Sequence, residues 1–593
     1  MCGIIGYVGK DNQAIKKTIS CLEKLEYRGY DSSGIAYISN NNVEIFKEVG
    51  RIQNLKNSID LEKDANIAIA HTRWATHGDA NKINAHPHKV GNVTIVHNGI
   101  IENYAELKDK LLKENYEFKS DTDTEVACAL INYLFKQEKN SLKTLEKFQK
   151  NVRGSYALGI IFDEEPNSLY AIKKDSPLIL GIENNNYFIA SDVPAILEYT
   201  NKYIVINDNE YLKIDDNYTI YKDGNILNKN IEEFNFEHHT QDKGNFEHFM
   251  LKEINEQPII VDKLLNYYLK DNLEKLPNLS DYNRIDIIGC GSAYHTSLVA
   301  KNLFEEYANI EVNCHVASEY RYQNNFYSDK SLVIFISQSG ETADTLACLR
   351  KVKEKNIATL AIVNAEGSSI AREADQVIYT KAGSEIAVAT TKAYSAQITI
   401  LSLLALKASV SKNNYADYQS VIEDSKNISK YMVEIINNNN CKDIADKIYI
   451  KKDIFFIGRL VDHALALEGS LKLKEISYIN SATYPAGELK HGTISLIEKD
   501  TPVITIITDE KIKEKTISNV KEVIARGAHS IIFTNQEIDN EIIQDKINVI
   551  KVNPFLQPII TIVPLQLLAY YVAKNNNCDI DKPRNLAKSV TVE

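Results

Sequence analysis

The second half of the chain contains the same order of short apolar runs twice. Four positions of the first copy recur in the second at offsets of 169, 170, 171 and 172 residues: Asp286 with Phe455, Val333 with Val503, Asn364 with Asn535, and Val377 with Val549. Each copy alternates runs rich in valine and isoleucine with helical segments such as 342–355 and 511–526. Such alternation is typical of parallel sheets covered by helices, so the duplication predicts two α/β domains with parallel sheets.

Up to about residue 231 the chain has a different pattern. Helical stretches such as 124–135 lie between short β-rich runs at 67–70, 93–96, 157–162 and 187–190. This pattern favours a single α+β domain in which sheets pack against helices. A polar stretch around 234–245 has no sustained periodicity and is interpreted as a linker.

Composition excludes several classes of protein. The chain has 593 residues and a formal net charge of -12, without a block of Lys and Arg that could track a phosphate backbone, so we expect no nucleic-acid partner. No apolar run approaches the length of about 18 residues that spans a bilayer, and no secretion signal begins the chain, so we expect a cytoplasmic protein with no membrane partner.

The cysteines and histidines do not form a metal-binding pattern. The eight cysteines are scattered, without a C-x-x-C pair, and we expect them to be reduced. The short histidine clusters at 86–88 and 238–239 are interpreted as polar loops. We therefore predict no metal and no cofactor.

Cys2 precedes an apolar, strand-like segment with turn glycines. If Met1 is removed, Cys2 carries both a thiol and a free α-amino group, whose pKa of about 7.7 to 8.0 suits it to act as the thiol's base. This pairing indicates nucleophilic chemistry on amides. A single cysteine near a terminus is more often a buried small hydrophobic residue, so the interpretation depends on the rest of the domain.

Three polar clusters in the same domain adjoin regular elements. Residues 71–78 and 97–103 each follow a predicted strand, and residues 120–125 open a predicted helix. Taken singly, Asn98-Gly99 fits a turn and Asp123 fits a helix cap. Because loops that leave rigid elements often carry function, the three clusters together with Cys2 favour a catalytic site.

The segments 2–4, 25–32, 71–78 and 97–99 resemble the class II glutamine amidotransferases of the N-terminal-nucleophile hydrolase superfamily. The resemblance implies an αββα-layered domain in which Cys2 attacks the side-chain amide of L-glutamine while its own α-amino group relays the proton. It also implies roles for other residues: Asn98 and Gly99 at the oxyanion, Arg73 on the substrate carboxylate, Asp123 on the substrate ammonium, Thr76 and His77 lining the pocket, and Trp74 as a gate for ammonia.

A second site is indicated at the ends of the predicted strands in the first copy. The loop 337–342 (Ser-Gln-Ser-Gly-Glu-Thr) follows a buried strand and begins a helix, where hydroxyls and backbone N–H groups can hold a phosphate. Alone, such a loop is more often a cap and a turn. However, Cys290-Gly291-Ser292 ends the neighbouring strand, and the carboxyl ends of parallel strands share one crevice. This arrangement resembles the sugar isomerase (SIS) domain, and the duplication resembles its tandem form.

The second copy has the acidic loop 508–511 (Thr-Asp-Glu-Lys) at the corresponding place, so we expect one sugar site per chain. It offers instead Glu468, Lys472 and Glu475, whose spacing puts them on one face of a helix. The alternative interpretation is a solvated, salt-bridged stripe. The C-terminal tail contains leucine and valine and lacks a trailing polar segment, which indicates that it docks.

The runs 383–392, 486–492 and 583–593 extend the resemblance over essentially the full length, to a family of glutamine-dependent, isomerizing sugar-phosphate aminotransferases. The resemblance implies that Lys588 forms a Schiff base with fructose 6-phosphate, that Glu475 carries a proton, and that His491 assists ring opening from the neighbouring subunit of a homodimer. It implies internal transfer of ammonia to the sugar. Further residues expected at the sugar phosphate are Ser292, Ser337, Gln338, Ser339, Thr342, Val388, Thr390, Glu468, Lys472 and Ala587.

The same resemblance predicts a glutaminase domain at 2–235, a linker at 236–248, SIS domains at 249–430 and 431–580, and a tail at 581–593 that completes the sugar site. One departure is Ala293, where many relatives have a hydroxyl, so we expect only a weakened auxiliary contact with the phosphate or sugar there. Two alternatives remain. One is an amidotransferase for a different phosphosugar, and the other is a non-catalytic phosphosugar sensor. The joint presence of Cys2, Glu475, His491 and Lys588 argues against the sensor.

Overall fold

A computed structural model describes residues 2–75, 78–233, 243–269, 273–415 and 417–590. Thr76, His77 and most of the predicted linker, including His238 and His239, lie outside the described residues. The chain divides into two compact units, one of Met1–His238 with Ser589–Glu593 and one of His239–Lys588.

The first unit is built on two antiparallel sheets. Its strands are β1 (Gly3–Val8), β2 (Ser32–Ser39), β3 (Asn42–Val49), β4 (Ile67–Arg73), β5 (His88–Val90), β6 (Val93–Ile101), β7 (Gly154–Phe162), β8 (Leu169–Lys174), β9 (Ile179–Glu183), β10 (Asn186–Ala190), β11 (Lys202–Val205), β12 (Glu210–Ile214), β13 (Tyr218–Lys222), β14 (Asn225–Leu227) and β15 (Glu232–Glu233). One sheet has the order β15-β11-β9-β10-β1-β4-β2-β3, and the other has the order β14-β13-β12-β8-β7-β6-β5.

The helices of this unit cover the outer faces of the sheets. They are α1 (Ala14–Glu23), α2 (Ile52–Ser58), α3 (Tyr104–Lys113), α4 (Asp123–Glu138) and α5 (Ser141–Asn151). Apolar side chains of β1, β6 and β7, such as Ile4, Val96 and Ala157, share one buried cluster between the sheets. A second cluster lies under α1 and α2, and a third lies under α3 to α5. The predicted αββα layering is confirmed.

Two strands extend further than the sequence pattern predicts. The polar residues 71–73 and 97–99 were expected to follow their strands, but they lie inside β4 and β6. The reason is that pairing continues through them: Thr72 is opposite Gly3, Asn98 is opposite Ala157, and Gly99 is opposite Tyr156. Rigid strands therefore fix the positions of these polar residues.

The second unit contains two five-stranded sheets. Its strands are β16 (Arg284–Gly289), β17 (Glu311–Val316), β18 (Ser331–Ser337), β19 (Ala358–Val363), β20 (Gln376–Tyr379), β21 (Asp453–Gly458), β22 (Asn480–Pro485), β23 (Pro502–Ile507), β24 (His529–Thr534) and β25 (Asp545–Asn548). All neighbouring strands are parallel, in the orders β17-β16-β18-β19-β20 and β22-β21-β23-β24-β25. The identical orders confirm the duplicated parallel sheets, although Val549 follows β25 whereas Val377 lies inside β20.

The helices of this unit are α6 (Phe249–Leu269), α7 (Ser292–Leu303), α8 (Ala317–Tyr320), α9 (Ala343–Lys353), α10 (Ser369–Glu373), α11 (Lys392–Ser411), α12 (Tyr418–Ser425), α13 (Ile428–Asn437), α14 (Cys441–Ile448), α15 (Val461–Ser477), α16 (Lys513–Ile524) and α17 (Gln557–Asn575). By length and composition α11 could cross a membrane, so the expectation that no run approaches that length is wrong. Its 18-residue window has a mean hydropathy of 1.3 and is 89% buried, which is the environment of a core helix.

Candidate active sites

Cys2 lies at the start of the buried central strand β1. Because Gly3 pairs with Thr72, Cys2 lies beside the end of β4, and its Sγ is 3.6 Å from the carbonyl oxygen of Trp74. Burial raises the pKa of the Cys2 thiol, and the nearby charge of Arg73 opposes this shift. A part-buried thiol with a raised pKa needs a base before it can act as a nucleophile.

Cys2 opens into a pocket of about 260 Å³, part of it open to solvent. The residues lining it are Cys2, Arg73, Trp74, His86, His97, Gly99, Thr122, Asp123 and Thr124. The structure therefore brings together five residues that the sequence assigned to the glutaminase site: Cys2, Arg73, Trp74, Gly99 and Asp123. Thr76 and His77, which were assigned to the same pocket, lie outside the described residues.

Two opposite charges line the pocket, as an amino-acid substrate requires. Arg73 is buried, and its guanidinium donates to the carbonyl oxygens of Asp79 at 3.2 Å and Gly78 at 3.1 Å. Asp123 is also buried and accepts the N–H of Ile101 at 2.8 Å. The N-cap of α4 is Thr122, so Asp123 is not the helix cap that the alternative interpretation allowed.

The predicted oxyanion residues lie on β6. The Asn98 side-chain amide donates to the carbonyl oxygen of Cys2 at 3.0 Å, next to the nucleophile. Gly99 has a φ of +128°, and a Cβ atom there would lie 2.1 Å from the carbonyl oxygen of Ser155. Glycine is therefore required at this position of the strand.

Buried histidines form part of this pocket, and sequence reasoning missed them. His86 and His97 line it, and His97 contacts the Thr124 hydroxyl at 2.9 Å. The Nε2 of His71 lies 2.9 Å from the His97 carbonyl oxygen, and burial lowers the pKa of His71 to about 3. The interpretation of residues 86–88 as a polar loop is wrong for His86 and His88, because both are buried.

In the first parallel sheet, the loop between β18 and α9 is closed by its own hydroxyls. The hydroxyl oxygens of Ser337 and Thr342 are 2.8 Å apart, and Ser337 Oγ also accepts the N–H of Gly340 at 3.0 Å. Ser339 Oγ accepts the N–H of Glu341 at 3.2 Å, and the Gln338 carbonyl accepts the N–H of Asn364 at 3.1 Å. These contacts hold the four residues predicted to bind phosphate in one turn at the carboxyl end of the sheet.

The three charged residues of α15 form an internal network. Lys472 Nζ lies 2.6 Å from Glu475 and 3.4 Å from Glu468. Glu468 accepts the Ser292 hydroxyl at 2.8 Å and contacts His295 Nδ1 at 2.8 Å. Because Glu468 and Lys472 are 0% and 1% exposed, the alternative of a solvated stripe is wrong. Burial lowers the pKa of Lys472, but the two carboxylates outweigh burial and hold it above its ordinary value.

Lys588 is buried against an acid that the sequence did not assign. Its ammonium donates to Glu385 and, at 3.1 Å, to the hydroxyl of Thr390. Glu385 also accepts the N–H groups of Thr391 at 3.0 Å and Ala393 at 3.1 Å. Burial raises the pKa of Glu385, whereas Lys588 and these N–H groups lower it, and the net shift is downward. The sequence offered one signal for Glu385 as a site residue, because it is the only acid in the run 383–392.

A second unassigned acid, Glu253 of α6, supports the same loop. Its carboxyl accepts the N–H groups of Ile386 and, at 3.2 Å, Ala387. Burial and the charge of Glu385 raise the pKa of Glu253 to about 8. No sequence signal identified it, because it lies more than 130 residues from the loop that it holds.

The C-terminal tail is anchored beside this loop. The N–H of Val388 donates to the Asp581 carbonyl at 2.9 Å, and the Asp581 carboxylate accepts the N–H groups of Phe249 and Met250 at 2.9 Å each. The N–H of Val388 is therefore already used within the protein. Ala587, next to Lys588, is half-buried.

His491 differs from the other predicted catalytic residues. It ends a 3₁₀ turn, Leu489–His491, and is exposed. Within the described residues its side chain makes no hydrogen bond to Glu475 or Lys588. Within the described residues, no group of three histidine, cysteine, aspartate or glutamate side chains is arranged to bind a metal ion. The absence of a metal remains a prediction.

A thiol pocket on an αββα unit, followed by two parallel-sheet copies, defines a class of protein: a glutamine amidotransferase joined to two sugar isomerase domains. Family models agree. The glutamine amidotransferase domain matches residues 71–198, and the SIS domain matches residues 278–407 and 447–575.

Full-length relatives identify the family. The chain is 45% identical over 611 residues to glutamine–fructose-6-phosphate aminotransferase (isomerizing) of Clostridium tetani, covering 100% of both chains. It is 42% identical over 608 residues to the protein of the same name from Bacillus subtilis, again covering 100% of both. The solved C-terminal domain of glucosamine-fructose-6-phosphate aminotransferase from Francisella tularensis matches with a TM-score of 0.53 and 37% identity, over 58% of this chain and 100% of that one. The chain belongs to the family of glutamine–fructose-6-phosphate aminotransferases.

Proposed function

We propose that this enzyme transfers the amide nitrogen of L-glutamine to D-fructose 6-phosphate and isomerises the product, giving D-glucosamine 6-phosphate and L-glutamate. This reaction supplies amino sugars for UDP-N-acetylglucosamine. One observation carries the proposal: a single chain contains both a thiol pocket lined by Arg73 and Asp123 and a buried lysine, Lys588, paired with an acid. The first can release ammonia from an amino-acid amide, and the second can activate a carbonyl.

In the glutaminase half, Cys2 attacks the side-chain carbonyl carbon of glutamine. Arg73 binds the α-carboxylate and Asp123 binds the α-ammonium. The Asn98 amide and the Gly99 N–H stabilise the oxyanion. The C–N bond then breaks, ammonia leaves with a proton relayed by the α-amino group of Cys2, and water hydrolyses the thioester to glutamate.

In the sugar half, the loop 337–342 holds the phosphate and Lys588 attacks C2 of the open-chain ketose, whose C2 oxygen leaves as water to give the Schiff base. This attack requires the neutral amine, so the Lys588 ammonium, which donates a hydrogen bond to Glu385, first loses a proton. Ammonia then replaces Lys588 at C2. Glu475 removes a proton from C1 and returns one to C2, which gives the 2-amino aldose.

The partner and the compartment are part of the proposal. We propose a homodimer in which each sugar site receives His491 from the other chain, which the exposure of His491 supports. We propose a cytoplasmic location, which is supported by eight cysteines that are all free thiols. We also retain domain boundaries at residues 235, 248, 430 and 580, supported by the break between the two units near residue 238.

The test is a labelled-product assay. Glutamine carrying ¹⁵N in its side-chain amide is supplied with fructose 6-phosphate, and mass spectrometry should find the label in glucosamine 6-phosphate. Other ketose and aldose phosphates are offered in competition. Preferential amination of one of them would favour an amidotransferase for a different phosphosugar, and binding without any amination would favour a sensor.

A further inference from the structure

In both SIS copies the same backbone turn precedes the helix that follows the first strand of the sheet. Gly291, before α7, has φ 55° and ψ −125°, and Leu460, before α15, has φ 52° and ψ −121°. The second residues of the two helices are Ala293 and Asp462. These two residues therefore occupy equivalent positions.

Strand register extends this equivalence to the phosphate loop. Ile288 of β16 pairs with Phe335 of β18, and in the second copy Ile457 of β21 pairs with Thr505 of β23. Counting three and four residues along each strand gives the corresponding loop positions: Gln338 with Thr508, and Ser339 with Asp509.

In the second copy this loop already holds an anion. One oxygen of the Asp462 carboxylate accepts the N–H of Thr508 at 2.8 Å and the N–H of Asp509 at 3.4 Å. The other oxygen accepts the Thr508 hydroxyl. Asp462 is 1% exposed, and burial raises its pKa to about 6 while the Thr508 contacts oppose that shift. A hydroxyl and successive N–H groups are the donors that a phosphate takes at such a loop.

The acidic side chains of the loop 508–511 do not take the place of Asp462, because they contact other groups. Asp509 Oδ1 accepts the N–H of Lys511 at 2.9 Å, and Glu510 pairs with Lys551 at 2.9 Å. In the first copy the position of Asp462 holds Ala293, which has only a methyl group. The two copies therefore differ on the helix as well as in the loop, where Ile507 and Ile512 replace the hydroxyls of Ser337 and Thr342. Asp462 is the acid that contacts the backbone N–H groups of the second loop.

We propose that the second SIS copy retains an anion cradle of the first copy's kind, and that the chain fills it with its own Asp462 carboxylate in the place a sugar phosphate takes in the first copy. This inference rests on the proposed function for the identity of the first site. It assigns Asp462 as the residue that limits each chain to one sugar phosphate.

The test counts anions bound to the full chain. Titration calorimetry with inorganic phosphate should give one site per chain for the wild type and two for Asp462→Ala. Asp462→Asn, which keeps the size and an acceptor oxygen, should still give one. An Asp462→Ala chain that keeps its glutaminase activity and a cooperative thermal transition, yet binds one phosphate, overturns the proposal.

The reciprocal substitution in the first copy gives a second test that does not depend on the folding of Asp462→Ala. Ala293→Asp should place a carboxylate on Gln338 and Ser339 and weaken fructose 6-phosphate binding at least 100-fold, whereas Ala293→Asn should weaken it less than 10-fold. Equal affinities for the two variants overturn the proposal. If the wild type binds no phosphate while Asp462→Ala binds one, the proposed function is wrong because the first copy has no phosphate site. The proposal that Asp462 fills the loop of the second copy is then still supported.

Discussion

Lys588 belongs to a group of three cations and three acids. Lys588 pairs with Glu385, Lys392 pairs with Glu256 at 2.6 Å, and Lys252 contacts the same Glu256 at 3.5 Å. The third acid is Glu253, and burial and the charge of Glu385 raise its pKa. Glu385 is therefore the acid that pairs directly with Lys588.

Replacement of Glu253 by glutamine should change the pH dependence of stability. Because the pKa of Glu253 rises from 4.5 to about 8 on folding, its stabilising contribution is complete below pH 4.5 and is lost as the pH rises towards 8. Glu253→Gln removes this loss, which amounts to at most about 1.4 kcal/mol per pH unit. Calorimetry at pH 5.5 and 7.5 should therefore show the melting temperature of the variant gaining on that of the wild type as the pH rises. A difference that does not vary with pH contradicts the assignment.

Residues close to a motif were predictable, and residues reached by long-range packing were not. Cys2, Arg73 and Asp123 belong to local patterns that a sequence displays, and the structure brings them to one pocket. Glu253 and His86 act through contacts that only the fold creates. Their local sequence is that of an ordinary helix and an ordinary loop, so no short-range pattern marks them.

At the scale of elements, α15 carries its charged face into the interior. Lys472 is the cation between two carboxylates, Glu468 and Glu475. Replacement of Lys472 by methionine leaves these acids without a counter-charge and should cost about 3 to 5 kcal/mol of stability. The matched control is the exposed Lys474 on the same helix, for which Lys474→Met should cost under about 0.5 kcal/mol.

Thermal unfolding measures the two variants side by side. Lys472→Met should also lose amination, because Glu475 loses the ammonium that holds its carboxylate in place. Similar melting temperatures for the two methionine variants would show that the Lys472 network is not a stabilising one.

Element types were easier to predict than element ends. The helix predicted at 511–526 is α16, Lys513–Ile524, preceded by a 3₁₀ turn at Glu510–Ile512. The reason is that Asp509 caps the turn through the N–H of Lys511 and delays the α-helix. Likewise β4 and β6 continue into polar residues because sheet pairing outweighs local polarity.

At the scale of the whole molecule, the residues proposed for the two reactions belong to different compact units, with Cys2 in the first and Lys588 in the second. Cys2→Ala should abolish the use of glutamine while leaving isomerisation of fructose 6-phosphate. Lys588→Ala should abolish amination while leaving residual glutaminase. Separate assays for glutamate and for sugar products check both variants. Loss of both activities in either variant, with the fold intact by circular dichroism, would contradict the assignment of two sites.

The proposed homodimer can be tested with mixed subunits. His491→Ala and Lys588→Ala chains should each be inactive in synthesis. When they are unfolded and refolded together, a mixed dimer regains one complete site, so random assortment should restore about a quarter of wild-type activity. Mixtures that regain no activity while forming mixed dimers by native mass spectrometry would place His491 in the site of its own chain.

The anchoring of the tail through Asp581 and Lys588 has a consequence for biosynthesis of the chain. Domains fold as units, starting from the N-terminus, while the ribosome is still at work. The strands of the first unit are complete by Glu233, so the thiol pocket can form early. Lys588 lies 355 residues further along the chain (588 minus 233), so it emerges from the ribosome long after these strands. A nascent chain can therefore acquire a glutaminase fold well before it can possess an acceptor for ammonia.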